Sequence, residues 1–299
     1  MVDVSALGKP LASIPFTLVH GVPVVAWTVN HRKHQNFAVD TGAQWSLINS
    51  SRAGELGIRI MPSTGKLTFL APGSSSLVGN SQTKLIPVNA GRLRLRLGLV
   101  AMDLSGIEKA VGVPIAGVLG YNVLRALPTA IDYNEKRLLI YSGSKFRPPD
   151  GGSTVLSLGD NVREPVIAAS LTIGGEDLGR VRAELDTGLE FSADVLGRFA
   201  RDHNLETLRG WKRGKTEGFL GPEEVFLGQT GFLAYGGARF ELTTVLMSLS
   251  AAGQGGGADF DMSMGAPNRS TGVVVLDVPA GKIYLGRSSA AAGPSTCPP

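Results

Sequence analysis

The chain of 299 residues repeats itself once, and this repeat constrains its fold more than any other feature. Residues 36–48 read NFAVDTGAQWSLI, and residues 182–196 read RAELDTGLEFSADVL. Each is an apolar strand that ends in Asp-Thr-Gly and then returns to apolar residues. Asp40 aligns with Asp186, Thr41 with Thr187, Gly42 with Gly188 and Ser46 with Ser192. The correspondence continues downstream, where AGVLGYNVLRALPTAIDYNEKRLLIY (116–141) matches DMSMGAPNRSTGVVVLDVPAGKIYLG (261–286). Asp40 precedes Gly120 by 80 positions and Asp186 precedes Gly265 by 79, and Gly120 to Asp132 and Gly265 to Asp277 each span 12. Upstream, Pro23-Val24-Val25-Ala26 parallels Pro165-Val166-Ile167-Ala168. A single Asp-Thr-Gly arises by chance in roughly one chain in ten of ordinary composition. Two copies in matching strand contexts at matching distances mark a duplicated unit.

A carboxylate at the end of an apolar strand is costly to bury unless it finds partners. The glycine two positions on permits a tight turn and close approach by another segment. The threonine adds a short, stiff hydroxyl able to bond backbone across an interface. Two such turns meeting about a pseudo-twofold axis would set two carboxyls side by side. Like charges that close cannot both ionise easily, so the pair holds one proton between them; aspartic proteases are the standard example of this behaviour. One member then serves as base and the other as acid toward a water held between them, which is the chemistry of amide hydrolysis without a covalent intermediate.

The size, with an apolar fraction of 43% and a charged fraction of 18%, suits two globular units. The 40 glycines between alternating apolar runs favour many short strands joined by tight turns. Arg147-Pro148-Pro149-Asp150-Gly151-Gly152 reads as a linker, and residues 288–299 as a flexible tail. The expected organisation is an N-terminal lobe at 1–147, a linker at 148–152, a C-terminal lobe at 153–287 and the tail. Two short helices are expected, at 194–204 and at 121–126.

With these residues in view, the chain resembles the retropepsin- and pepsin-type aspartic peptidases, in particular a bacterial type with two tandem retropepsin-like copies. The resemblance spans about residues 14–286 and rests on Phe37-Ala38-Val39-Asp40-Thr41-Gly42-Ala43, Ala183-Glu184-Leu185-Asp186-Thr187-Gly188, and Val118-Leu119-Gly120. It implies an all-β, bilobal acid-protease fold of two pseudo-twofold-related, barrel-like lobes with few short helices. It implies Asp40 and Asp186 as the catalytic pair, with Thr41, Gly42, Thr187 and Gly188 supporting the active-site loops. It further implies hairpin flaps over an extended polypeptide substrate, a monomer, no cofactor and no metal, and export to the periplasm or beyond in a bacterium. By distance from each aspartate the flaps fall at 68–79 and 216–224, with Phe69, Gly73, Phe219 and Gly221 as substrate-contacting candidates; neither stretch holds the tyrosine of pepsin-like flaps. The alternative reading is a catalytically inactive peptide-binding protein on the same fold.

The sequence departs from the family pattern in places. The downstream Asp-Gly-apolar-apolar-Gly appears as Ala116-Gly117-Val118-Leu119-Gly120 and as Asp261-Met262-Ser263-Met264-Gly265, so the second half has drifted. Ala43 and Leu189 stand where pepsin-like enzymes often carry a hydroxyl that favours the ionised pair. That substitution predicts a working pH nearer about 5–6 than 2.

Other chemistries find little support. Arg92, Arg94 and Arg96 alternate with leucines as the wet face of a strand, not as the broad basic surface with aromatics that nucleic acid requires. His31 and His34 fall in a polar hairpin tip with no third ligand close in sequence, and His20 and His203 are isolated. Gly255-Gly256-Gly257 lacks a phosphate-loop context, no Gly-x-Ser-x-Gly elbow occurs, and the lone Cys297 lies in the tail. No apolar stretch approaches the roughly 20 residues of a membrane span, and the first residues lack a signal-peptide pattern.

Overall fold

The computed structural model describes residues 2–71, 74–90, 92–149, 154–158, 163–218, 221–235, 238–248, 259–266 and 272–287. Among them, strands dominate and form two sheets, one of fifteen strands and one of seven. The strands follow from their side-chain alternation. Ala12–Val19 buries Ala12, Ile14 and Phe16 and exposes the residues between, while Val166–Ile173 buries Ile167, Ala169, Leu171 and Ile173.

The duplicated sequence builds the same local sheet twice. In the first half, Arg32–Val39 runs antiparallel to Val22–Val29, with Val24 opposite Ala38, and parallel to Gly117–Leu119, with Leu119 opposite Val39. Gly117–Leu119 then pairs antiparallel with Leu47–Asn49, which runs parallel to Val100–Met102. In the second half, Glu176–Asp186 runs antiparallel to Val166–Ile173, with Val166 opposite Glu184, and parallel to Met262–Gly265, with Asp186 opposite Gly265. Met262–Gly265 pairs antiparallel with Ala193–Val195, which runs parallel to Ala238–Ser248. Each aspartate therefore ends a strand held on both sides, so its position is set by sheet register and not by a free loop.

The halves are stitched by equivalent strands. Thr129–Asp132 pairs antiparallel with Gly272–Asp277, from Thr129 opposite Leu276 to Asp132 opposite Val273. Antiparallel pairing of two copies of one element is what a twofold axis generates. Both strands are buried along their length, and one face of this joint packs Ala130, Val273 and Val275 against Val2, Leu7 and Tyr141.

Glycine is enforced at two neighbouring points of the first half. A Cβ on Gly117 would lie 2.3 Å from the Leu47 carbonyl oxygen, and one on Gly120 would lie 2.6 Å from both the Ala43 oxygen and the Trp45 carbonyl carbon. The downstream segment is thereby pressed directly beneath the first Asp-Thr-Gly turn.

Several local expectations are refined. The helix expected at 194–204 begins only at Gly197 and ends at Asp202, because Ala193–Val195 is drawn into the sheet between two partners. The helix after Gly120 forms at Tyr121–Leu124. A further helix, Ser105–Val111, was not foreseen; Leu104, Ile107 and Val111 attach it to the apolar cluster of Ala38, Leu47 and Val118. His31 lies in the turn between two strands and His34 on the second of them, both with left-handed backbone.

Candidate active site

The two Asp-Thr-Gly turns meet and interlock. The Thr41 hydroxyl accepts the Thr187 backbone N–H at 3.0 Å and donates to the Leu185 carbonyl at 2.5 Å. Reciprocally, the Thr187 hydroxyl accepts the Thr41 N–H at 3.0 Å and donates to the Val39 carbonyl at 2.9 Å. Both threonines are 0% exposed. Four hydrogen bonds in a dry interface tie each turn to the strand beneath the other.

The carboxyls are positioned just as symmetrically. Asp40 Oδ1 accepts the N–H groups of Gly42 at 2.8 Å and Ala43 at 3.0 Å; Asp186 Oδ1 accepts those of Gly188 at 2.7 Å and Leu189 at 3.1 Å. Each side chain leans over the opposite turn. A Cβ on Gly42 would lie 2.6 Å from Asp186 Cγ, and one on Gly188 would lie 2.5 Å from Asp40 Cγ. Only glycine leaves that space open. Each carboxyl thus faces the other's turn, and both residues are half-buried, so solvent reaches them. Desolvation first, and then the charge and hydrogen bond of Asp186, hold the Asp40 carboxyl well above the usual carboxylate range, against the two backbone N–H groups that favour ionisation.

The support beneath the turns is less symmetric. In the first half, the Ser46 hydroxyl accepts the Gly120 N–H at 2.9 Å and donates to Asn122 Oδ1 at 2.8 Å, which also accepts the Ser46 N–H. In the second half, the Gly265 N–H goes to the Ser192 carbonyl at 3.0 Å, and the Ser192 hydroxyl instead accepts the Thr244 N–H at 2.8 Å. The drift in Asp261-Met262-Ser263-Met264-Gly265 has a local cause: the Ser263 hydroxyl donates to Glu184 Oε2 at 2.7 Å, and both residues are buried. Asp186 nonetheless has the same pair of backbone donors as Asp40.

Glu184, Ser263 and Asn122 were not singled out from sequence, although a glutamate inside an apolar strand was the available signal. His20, read as isolated, lies 3.4 Å (Nδ1 to Oε1) from Glu190, which follows the second turn; both are well exposed.

The stretches expected as flaps form hairpins. Ile60–Ala71 pairs with Ser74–Thr83, placing Phe69 opposite Ser76, and Lys212–Gly218 pairs with Gly221–Tyr235, placing Gly218 opposite Gly221. Gly73 and Phe219 lie outside the described residues.

No protein-family model and no curated protein matches the chain. Among solved structures, the chain is similar to the aspartic proteinase from Irpex lacteus, with a TM-score of 0.58 and 13% identity over 93% of this chain and 97% of that one. At that identity the likeness establishes the fold, that of the pepsin-like aspartic proteinases, in two β lobes. Among the described residues, no helix is long and apolar enough to cross a membrane.

Proposed function

We propose that this chain is an aspartic endopeptidase that hydrolyses peptide bonds with water activated between Asp40 and Asp186. The observation that carries the proposal is the facing of these two half-buried carboxyls across interlocked turns, each leaning over the other's glycine and held by two backbone N–H groups. In the working state one carboxyl is ionised and the other protonated. The ionised one takes a proton from the bound water as the water oxygen attacks the scissile carbonyl carbon. The protonated one gives its proton to the carbonyl oxygen, yielding a gem-diol. The carboxyl that took the water's proton then gives it to the amide nitrogen while the other takes a proton from a gem-diol hydroxyl as the C–N bond breaks, so acid and amine leave and the pair again shares one proton. Thr41, Gly42, Thr187 and Gly188 keep the carboxyls in reach of one water.

The substrate is an extended polypeptide bound by backbone hydrogen bonds and apolar pockets. The two hairpins serve as flaps, and Phe69, Gly73, Phe219 and Gly221 are the candidate substrate contacts. Both aspartates come from one chain, so a monomer suffices, organised as lobes at 1–147 and 153–287 about a linker at 148–152. The duplicated Asp-Thr-Gly halves with a hairpin in each favour a tandem retropepsin-like bacterial enzyme, exported from the cytoplasm.

The test is digestion of a peptide mixture across pH 3–7. Cleavage should occur, be blocked by a statine-type inhibitor, and be lost in both Asp40→Asn and Asp186→Asn. Peptide binding without cleavage at every pH would replace this proposal with an inactive peptide-binding protein.

A further inference from the structure

The two halves differ in the sheet row two residues before each aspartate. In the first half the row runs Val24, Ala38, Val118, Leu47 by strand register, and all four belong to one buried apolar cluster. In the second half the matching row runs Val166, Glu184, Ser263, Asp194. Residues opposite one another in register project from the same face, so three polar side chains replace three apolar ones. Glu184 and Asp194 are each 4% exposed and Ser263 is 9% exposed. Glu184 stands two residues before Asp186 on the same strand, hence on the same face. A carboxyl this buried is costly in a position that alanine fills in the other half. Its retention points to a role in the site.

Resting on the aspartic-peptidase reading above, we propose that Glu184, held by Ser263 behind the aspartates, is a positioning residue that shares protons with the Asp40–Asp186 pair, so that its ionisation as the pH rises makes the pair keep its last proton to higher pH. The surroundings of Glu184 are strongly acidic. On its own strand lies Asp186; across the axis lies Asp40; from the segment before Val166–Ile173 comes Glu164; on the neighbouring strand side are Ser263 and Asp261, and one strand further Asp194. Two neighbouring cations pair with other carboxylates: Arg182 with Asp259 through its guanidinium, and Arg198, on the Gly197–Asp202 helix, with Asp261 at 3.6 Å. Burial, and then the charges of Asp186, Glu164 and Asp40, hold the Glu184 carboxyl well above its usual range, while the Ser263 hydrogen bond favours its ionised form. Three carboxyls in one field share protons as a set, so ionisation of Glu184 delays the last ionisation of the pair.

Residues two apart on a strand are separated by roughly 6–7 Å. At that spacing and an effective dielectric near 20, a partly ionised Glu184 displaces its neighbours' titration by about one pH unit. The test compares wild type with Glu184→Gln, which keeps an acceptor for Ser263, and with Ser263→Ala, which leaves Glu184 without its donor and so neutral for longer. In both variants the alkaline limb of kcat/KM should move to lower pH, by about one unit in Glu184→Gln and by less in Ser263→Ala, with the acid limb nearly fixed. A second readout is independent of turnover: carboxyl-carbon NMR titration of the aspartates. It should show the same displacement at Asp40 and Asp186 even if wild type cleaves nothing, which separates failure of this inference from failure of the peptidase reading. A folded Glu184→Gln variant with titration of the pair unmoved, within about 0.3 unit, overturns the proposal. If Glu184→Gln does not fold, an unmoved pair in Ser263→Ala overturns it equally.

Discussion

Replacing Thr41 by valine should lower the stability of the whole molecule by about 2–6 kcal/mol. Valine matches threonine in shape, so the change removes a hydroxyl and little else. That hydroxyl accepts from the Thr187 N–H at 3.0 Å and donates to the Leu185 carbonyl at 2.5 Å, at a position wholly shielded from solvent. The variant leaves one buried donor and one buried acceptor without partners, each at about 1–3 kcal/mol. At about 2–4 °C per kcal/mol for a large single chain, the melting temperature should fall by roughly 4–24 °C. Thr41→Ser keeps both bonds and should lie within about 1 kcal/mol of wild type. Thr187→Val should mimic Thr41→Val, and the double variant should cost less than the sum by at least about 0.5 kcal/mol, because the first loss already loosens the joint that the second would break. Urea unfolding of the four variants with a double-mutant cycle measures all of this. A Thr41→Val variant within about 0.5 kcal/mol of wild type would refute the idea that these four bonds clamp the turns.

Asp40→Asn should abolish cleavage yet raise the melting temperature at pH 7, with the gain vanishing below about pH 4. A carboxyl whose folded pKa is raised stabilises the fold at low pH and loses that contribution as pH rises, whereas asparagine has nothing to ionise; melts at the two pH values decide it. Gly188→Ala should cut kcat by at least about 100-fold, because its Cβ would sit 2.5 Å from Asp40 Cγ, and near-normal turnover would contradict the geometry. The pH–rate profile should peak near about 5–6, since neither Ala43 nor Leu189 offers a hydroxyl to the ionised pair, and a maximum near 2 would reject that account. Ser46→Ala should destabilise by about 1–3 kcal/mol by orphaning the Gly120 N–H, as read by urea unfolding.

The duplicated Asp-Thr-Gly strands were legible because their signal is local: an apolar run, an acid, a hydroxyl and a glycine in fixed order. The recurrence of Gly120 and Gly265 at nearly one distance from the aspartates was legible too, although the pairing of their strands with the aspartate strands emerged only in the fold. What stayed hidden depends on contacts between distant residues. Ser263 looked like decay of a motif because its reason, Glu184, lies 79 positions upstream. Asp194 and Val195 carry a helical pattern with Leu196 and Phe199, yet two flanking strands captured them, and tertiary pairing overrode a weak local preference. The Ser105–Val111 helix escaped notice because only its flanking Leu104 and its own Ile107 and Val111 face the apolar cluster, too few positions to stand out.

The joint between Thr129–Asp132 and Gly272–Asp277 is a self-complementary seam, the kind that two identical subunits could form as readily as two halves of one polypeptide. In a true homodimer every residue would occur on both sides of the axis, and a lone acid behind one aspartate would be impossible; it would come with a twin, crowding four carboxyls around one water. Covalent fusion lifts that constraint. It lets one copy keep an oily backing at Ala38 and Val118 while the other carries Glu184 and Ser263, so the two aspartates, alike in their turns, stand in unequal electrical surroundings before any substrate arrives.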